Sequence, residues 1–142
     1  MATKQSIDGQ CLCGAVTVKV ASAETKLGAC HCNMCRRWAG GLLLAIDCGT
    51  QVSFNGEDNI SVYDSSEWAE RGFCKQCGSN LFYRLKDNQQ YMMPPGLFDG
   101  FDSLTFDHQI FIEEKPDYYD FANDTHNMTG AEVFAAFSQK ED

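Results

Sequence analysis

Alternation between apolar and polar positions, rather than helical periodicity, runs through most of this chain. From Ala15 to Val20 the side chains of Val16, Val18 and Val20 fall on one face and predict a strand. Leu42 to Cys48, Gln51 to Phe54 and Ile60 to Asp64 are short apolar or β-branched runs that predict three more. The turn-like pair Gly49-Thr50 and the segment Asn55-Gly56-Glu57-Asp58 separate them. Asn80 to Leu85 and Gln90 to Met93 add two strands, closed off by Pro94-Pro95-Gly96, and His108 to Glu113 is the last. A helical pattern comes only at the end. Thr129 and Glu132 have the spacing of a capping box, after which Val133, Phe134 and Phe137 share a face. A shorter helical turn is predicted from Asn33 to Trp38. The pattern shows no internal repeat, low-complexity tract or linker. It predicts one mainly β domain over residues 1–142, with short antiparallel strands, cysteine-bearing loops and a short C-terminal helix.

Composition agrees and narrows the compartment. A chain of 142 residues with 44% hydrophobic and 12% aromatic content is long enough to bury a core of its own. Met1 to Gln10 is polar and does not read as a secretory signal. The longest apolar run, Gly40 to Ile46, is far too short to span a membrane. A cytoplasmic setting is expected, where thiols stay reduced, so the eight cysteines read as metal ligands or reactive groups before disulfides. The formal net charge of −9 argues against a nucleic-acid partner, which would need a basic face for the phosphates. The acidic stretch from Asp99 to Asp142 reads as solvated surface.

The cysteines fall into three clusters: Cys11-Leu12-Cys13-Gly14, Cys30-His31-Cys32-Asn33-Met34-Cys35 and Cys74-Lys75-Gln76-Cys77-Gly78. Zinc takes tetrahedral thiolate or imidazole ligands, and closely spaced cysteines can reach one ion from a tight turn. The glycines after Cys13 and Cys77 suit a knuckle that must curl through positive φ and let backbone N–H groups approach the sulfurs. Ligand arithmetic then pairs Cys11 and Cys13 with Cys74 and Cys77 as a complete structural shell. Cys30, Cys32 and Cys35 would cap a second ion from one side and leave a fourth position vacant, as in catalytic zinc sites. Spacing alone also allows Cys11 and Cys13 to group with the middle cluster. Equally, Cys48, His31, His108 or His126 could complete the second shell and make it structural. Cys48, at the end of an apolar run, is expected as a buried, inert thiol. His31 is expected to turn away from its ligating neighbours.

Three thiolates leave a zinc complex with a net charge of −1, against +2 for three histidines, which makes it a poor generator of hydroxide. A soft thiol is the better fourth ligand, and coordination would deprotonate it. The open site therefore reads as a thiolate-stabilising centre, suited to making or breaking a carbon–sulfur bond.

Three segments carry a resemblance. Gly9-Gln10-Cys11-Leu12-Cys13-Gly14-Ala15-Val16, Cys30-His31-Cys32-Asn33-Met34-Cys35-Arg36 and Phe73-Cys74-Lys75-Gln76-Cys77-Gly78-Ser79-Asn80-Leu81 resemble, in order, the motifs of the glutathione-dependent formaldehyde-activating enzyme family. That family includes the centromere-protein-V-like proteins. Pro95-Gly96-Leu97-Phe98-Asp99 and His108-Gln109-Ile110-Phe111 look like its weaker downstream elements. The resemblance implies an Mss4-like, or β-tent, fold stapled by zinc. It implies a structural zinc at Cys11, Cys13, Cys74 and Cys77 and a catalytic zinc at Cys30, Cys32 and Cys35. It also implies carbon–sulfur lyase activity on a glutathione adduct such as S-hydroxymethylglutathione. The sequence departs from the family at Glu113-Glu114-Lys115-Pro116-Asp117-Tyr118-Tyr119-Asp120, which is more acidic than the family's corresponding segment. Beside the pocket it would repel an anionic thiol unless Arg36, Arg37 or Arg71 compensated.

Arg36 is a candidate anchor for a substrate carboxylate, with a backbone contact as its alternative. His108 is a candidate proton carrier, or simply a packed residue. A different reading of the whole chain is a non-catalytic Mss4-like zinc module that binds a protein partner. Tyr118, Tyr119, Phe121, Phe134 and Phe137 would then be its exposed aromatic surface.

Overall fold

The computed structural model describes residues 4–141, so the first three positions of the polar N-terminal stretch and the last acidic residue lie outside it. The chain packs as two compact units, each assembled from two stretches: Met1–Lys26 with Ala45–Leu104, and Leu27–Leu44 with Thr105–Asp142.

The first unit is all β. Strands β1 (Lys4–Gln10), β2 (Thr17–Glu24) and β5 (Val52–Asn55) form an antiparallel sheet in the order β1-β2-β5. The valine alternation sets its inner face: Val16, Val18 and Val20 are all buried, and Ile7 of β1 stands opposite Val20. A second antiparallel sheet holds β4 (Leu43–Gly49), β9 (Tyr91–Met93), β8 (Asn80–Leu85), β7 (Ala69–Cys74) and β6 (Ile60–Tyr63), in that order. The first two residues of β4 belong to the second unit. Phe54, Phe82 and Tyr91 meet as an aromatic cluster with ring centroids 5.1 to 5.8 Å apart. Fully burying a ring contributes roughly 1.5–3 kcal/mol, and here Phe82 and Tyr91 are buried while Phe54 is half-buried. Gly72 of β7 makes room for it, because a Cβ there would stand 2.2 Å from Phe82 Cζ. Arg71 next to it is buried, with its guanidinium 4.9 Å from the centroid of the Tyr83 ring.

In the second unit β11 (His126–Met128), β10 (Thr105–Ile110) and β3 (Lys26–Cys30, whose first residue belongs to the first unit) lie side by side in that order, with helices α1 (Asn33–Ala39) and α2 (Gly130–Glu141). The β10–β11 pair is parallel, with His108 opposite His126, and departs from the antiparallel expectation. A parallel return needs a crossover, which residues 111–125 supply. The strand predicted to reach Glu113 stops at Ile110 because Phe111 turns into the left-handed region at φ 55°, followed by a 3-10 turn at Ile112–Glu114. The capping box before α2 is formed in both directions: Thr129 N–H donates to Glu132 Oε1 at 2.9 Å, and Glu132 N–H to Thr129 Oγ1 at 3.2 Å. Of the three apolar residues expected on one face, only Val133 is buried; Phe134 and Phe137 are exposed, Phe134 standing edge-on to Phe111. Among the described residues no helix is long and apolar enough to cross a membrane.

Candidate metal centres

The first cysteine group lies wholly in the first unit. Cys11-Leu12-Cys13-Gly14 turns between β1 and β2, with Gly14 at φ 80° and its N–H donating to the Cys11 carbonyl at 3.2 Å. Cys74 ends β7, and the turn to β8 repeats the geometry: Gly78 at φ 78° donates to the Cys74 carbonyl at 2.8 Å. Positive φ at both glycines is what a Cβ would resist. The four sulfurs of Cys11, Cys13, Cys74 and Cys77 lie within 4.8 Å of one another. Two of the edges are 3.7 Å (Cys11–Cys13) and 3.8 Å (Cys13–Cys74). Sulfurs about 2.3 Å from a tetrahedral zinc stand about 3.8 Å apart, so the spacing fits that ion.

Hydrogen bonds sort the charge among these thiols. The Ser79 hydroxyl accepts the Leu12 N–H at 3.0 Å and donates to Cys77 Sγ at 3.2 Å, linking the two knuckles. That hydroxyl, with the Ser79 and Cys13 backbone N–H groups, pulls the Cys77 thiol down to about 5. At Cys11 burial opposes ionisation, as does Cys77, but the Val16 N–H, 3.4 Å from Sγ, and the Cys13 and Cys74 thiols outweigh them and lower the pKa. The Ala15 N–H favours the Cys13 thiolate, yet lost solvation and the other three sulfurs push it up to about 11. A divalent cation among the four would offset that mutual repulsion.

The second group lies wholly in the other unit. Cys30 ends β3, Cys32 caps α1 and Cys35 sits in its first turn, and their three sulfurs also lie within 4.8 Å of one another. Cys32 Sγ accepts the Cys35 N–H at 3.3 Å, and its carbonyl accepts the Arg36 N–H at 2.9 Å. Cys35 is buried, while Cys30 and Cys32 are half-buried. The nearby Cys32 and Cys35 sulfurs, then burial, raise the Cys30 pKa strongly. Among the described residues no histidine, carboxylate or further cysteine joins the three sulfurs. The grouping is thus the one reached by ligand arithmetic, and the alternative pairing of Cys11 and Cys13 with the middle cluster is not formed.

The other candidates fall elsewhere. Cys48 is buried on β4, and burial, then the Asp47 charge, pushes its thiol up to about 12. His108 stands 2.6 Å from the Asp107 carboxylate through Nδ1 and lies against Gly28, where a Cβ would meet its ring at 2.0 Å. It packs on β3 from one side and pairs with its neighbour Asp107 on β10. Arg36 takes the backbone contact, its Nε donating to the His31 carbonyl at 2.9 Å. His31 is fully buried with its ring between Tyr119 and Gln109, turned away from the sulfurs as expected. Burial first, then the Lys115 and Arg36 charges, holds its pKa below the usual imidazole range, against the Gln109 bond.

Two contacts escaped the sequence. Glu114 Oε1 accepts the Asn33 N–H at 3.0 Å, which brings a carboxylate next to the Cys32 turn. Tyr119 and Phe121, candidates for an exposed partner surface, instead pack on His31 with centroids 5.7 and 6.5 Å away. Tyr118 alone of that acidic segment's aromatics is widely exposed, at 75%.

The chain is 41% identical over 127 residues to an uncharacterised lyase of Schizosaccharomyces pombe, a match that covers 89% of this chain and 93% of that protein. A Halomonas elongata protein, provisionally named a glutathione-dependent formaldehyde-activating enzyme, is 34% identical over 86 residues, 54% of either chain. The crystal structure of a Rhodobacter sphaeroides protein, a structural-genomics target, superimposes with a TM-score of 0.56 at 22% identity, covering 70% of this chain and 99% of that one. That likeness is one of fold. The family model of the glutathione-dependent formaldehyde-activating enzymes matches residues 6–114, which span both cysteine groups, and the chain therefore belongs to that family.

Proposed function

We propose that this protein is a zinc-dependent carbon–sulfur lyase acting on a thiol adduct such as S-hydroxymethylglutathione. In this reading Cys11, Cys13, Cys74 and Cys77 hold a structural zinc. Cys30, Cys32 and Cys35 hold the catalytic one, with the substrate sulfur as its fourth ligand. Both units serve one domain, residues 1–142, because each is threaded by two separate stretches of the chain. The observation that carries the reading is the contrast between a four-sulfur and a three-sulfur group in one chain. Family membership and the lyase name of the S. pombe relative support it.

Zinc in the three-cysteine site would supply a soft Lewis acid that favours sulfur as thiolate. The residues around it do the rest. Cys35 is buried in the protein, whereas Cys30 and Cys32 are half-buried residues. Arg36 holds the turn through its Nε bond to the His31 carbonyl, which leaves its two NH2 groups as candidate donors to a substrate carboxylate. In the lyase direction the carbon–sulfur bond breaks with its electron pair staying on sulfur. The hydroxyl proton passes to solvent water as the aldehyde C=O forms, so the products are the aldehyde, the thiolate and a hydrated proton. A reducing, cytoplasmic setting suits seven thiolate ligands.

The test is a pair of variants assayed for glutathione-dependent turnover of formaldehyde. Cys35→Ala is expected to abolish turnover and keep the fold by circular dichroism, whereas Cys77→Ala is expected to unfold, since a structural zinc contributes on the order of 10–16 kcal/mol. Full turnover by folded Cys35→Ala would refute the reading.

A further inference from the structure

His31 sits between Cys30 and Cys32, and all four of its polar groups are engaged. Its N–H donates to the Ile110 carbonyl at 3.2 Å, and its carbonyl accepts Arg36 Nε at 2.9 Å. On the ring, Nδ1 lies 2.6 Å from the Tyr119 hydroxyl and Nε2 lies 2.8 Å from Gln109 Oε1. The partners fix the direction of each proton. Gln109 Nε2 donates to Thr125 Oγ1 at 2.9 Å, and Thr125 donates on to Asn127 Oδ1 at 2.7 Å. The carboxamide oxygen of Gln109 therefore faces the imidazole, and because it can only accept, Nε2 carries the hydrogen. In a neutral ring Nδ1 is then the acceptor, and it takes the Tyr119 O–H.

We propose that this saturated histidine is a positioning residue for the three-cysteine metal site. Side chains alternate along extended backbone, so with the His31 ring turned inward, Cys30 and Cys32 face the other way together. Holding both ring nitrogens and both peptide groups of His31 leaves the two flanking sulfurs little freedom to lose when an ion arrives. A site organised beforehand binds its ion more tightly. The acidic segment that the sequence marks as a departure from the family thus serves the site locally. It delivers Tyr119, whose ring also lies 5.0 Å from Lys115 Nζ. Thr125 and Gln109 complete the clamp from the crossover and β10.

This inference rests on the reading that Cys30, Cys32 and Cys35 hold a metal, and the experiment separates the two. Zinc dissociation constants are measured by chelator competition on the full chain, with Cys35→Ala used to assign which affinity belongs to the four-cysteine site. The wild type is expected to bind two equivalents. Tyr119→Phe, which removes one hydroxyl, and Gln109→Leu are each expected to weaken only the three-cysteine site, by about tenfold or more. Tyr118→Phe, at an exposed neighbour, should match the wild type. A nitrogen-15 spectrum of the His31 ring should show the proton on Nε2 in the wild type and a displaced Nδ1 signal in Tyr119→Phe. Unchanged affinities in both clamp variants would overturn the proposal, as would equal weakening of both sites, which marks a general loss of folding. Uptake of a single equivalent by the wild type would instead overturn the metal reading beneath it.

Discussion

The Ser79 hydroxyl stands 3.2 Å from Cys77 Sγ, while its oxygen accepts the Leu12 N–H from a knuckle 67 residues away. One side chain therefore both favours the thiolate and ties the two halves of the four-cysteine group. In the metal-free protein Ser79→Ala is expected to raise the pKa of the Cys77 thiol, which that hydroxyl holds down. It should weaken zinc at this group by about tenfold, by chelator competition, and leave the other group alone.

Cys48 offers a test of the first unit's packing. Its thiol is pushed up to about 12 by burial and by Asp47, so at pH 8 it stays protonated and shielded. Native protein should therefore label with iodoacetamide at Cys48 only after unfolding. Labelling at the rate of a free thiol would contradict the burial.

At the start of α2 the Thr129 N–H and hydroxyl, the largest contributions, hold the Glu132 carboxyl below its ordinary value. A carboxyl depressed in the folded state stabilises above its unfolded pKa, and that help is lost as pH falls through the folded one. The helix should thus lose its cap on acidification through and below the ordinary glutamate range, read from the Glu132 carboxyl carbon resonance. Thr129→Ala should cost about 1 kcal/mol at neutral pH in urea unfolding.

These elements also show what the sequence could and could not say. The alternation of Val16, Val18 and Val20 announced β2 because one face of that strand is packed. β1 gave no such pattern, since Ile7 alone of Lys4–Gln10 is buried. β3 was hidden for the opposite reason: Leu27, Gly28 and Ala29 are buried in succession, so nothing alternates. In β7 the adjacent charges Glu70 and Arg71 and the following Gly72 masked a strand whose glycine admits Phe82. The grouping of the sulfurs was legible because ligand number closes at four and at three. The Tyr119 and Gln109 contacts to His31 were not, since they join residues 88 and 78 positions apart through strand pairing that local pattern does not encode.

Gly72→Ala tests the close approach of β7 to the aromatic cluster. Its Cβ would stand 2.2 Å from the Phe82 ring, and overpacking of this kind costs about 1–3 kcal/mol. Combining it with Phe82→Leu should recover part of the loss, a coupling that a double-mutant cycle in urea would measure.

The central claim, one closed and one open thiolate zinc, is tested most directly by metal content together with X-ray absorption at the zinc edge. Two zinc ions per chain are predicted, one holding four sulfurs throughout and the other gaining a fourth sulfur when glutathione is added. A single zinc per chain, or two that each hold four protein ligands before any thiol is present, would contradict it.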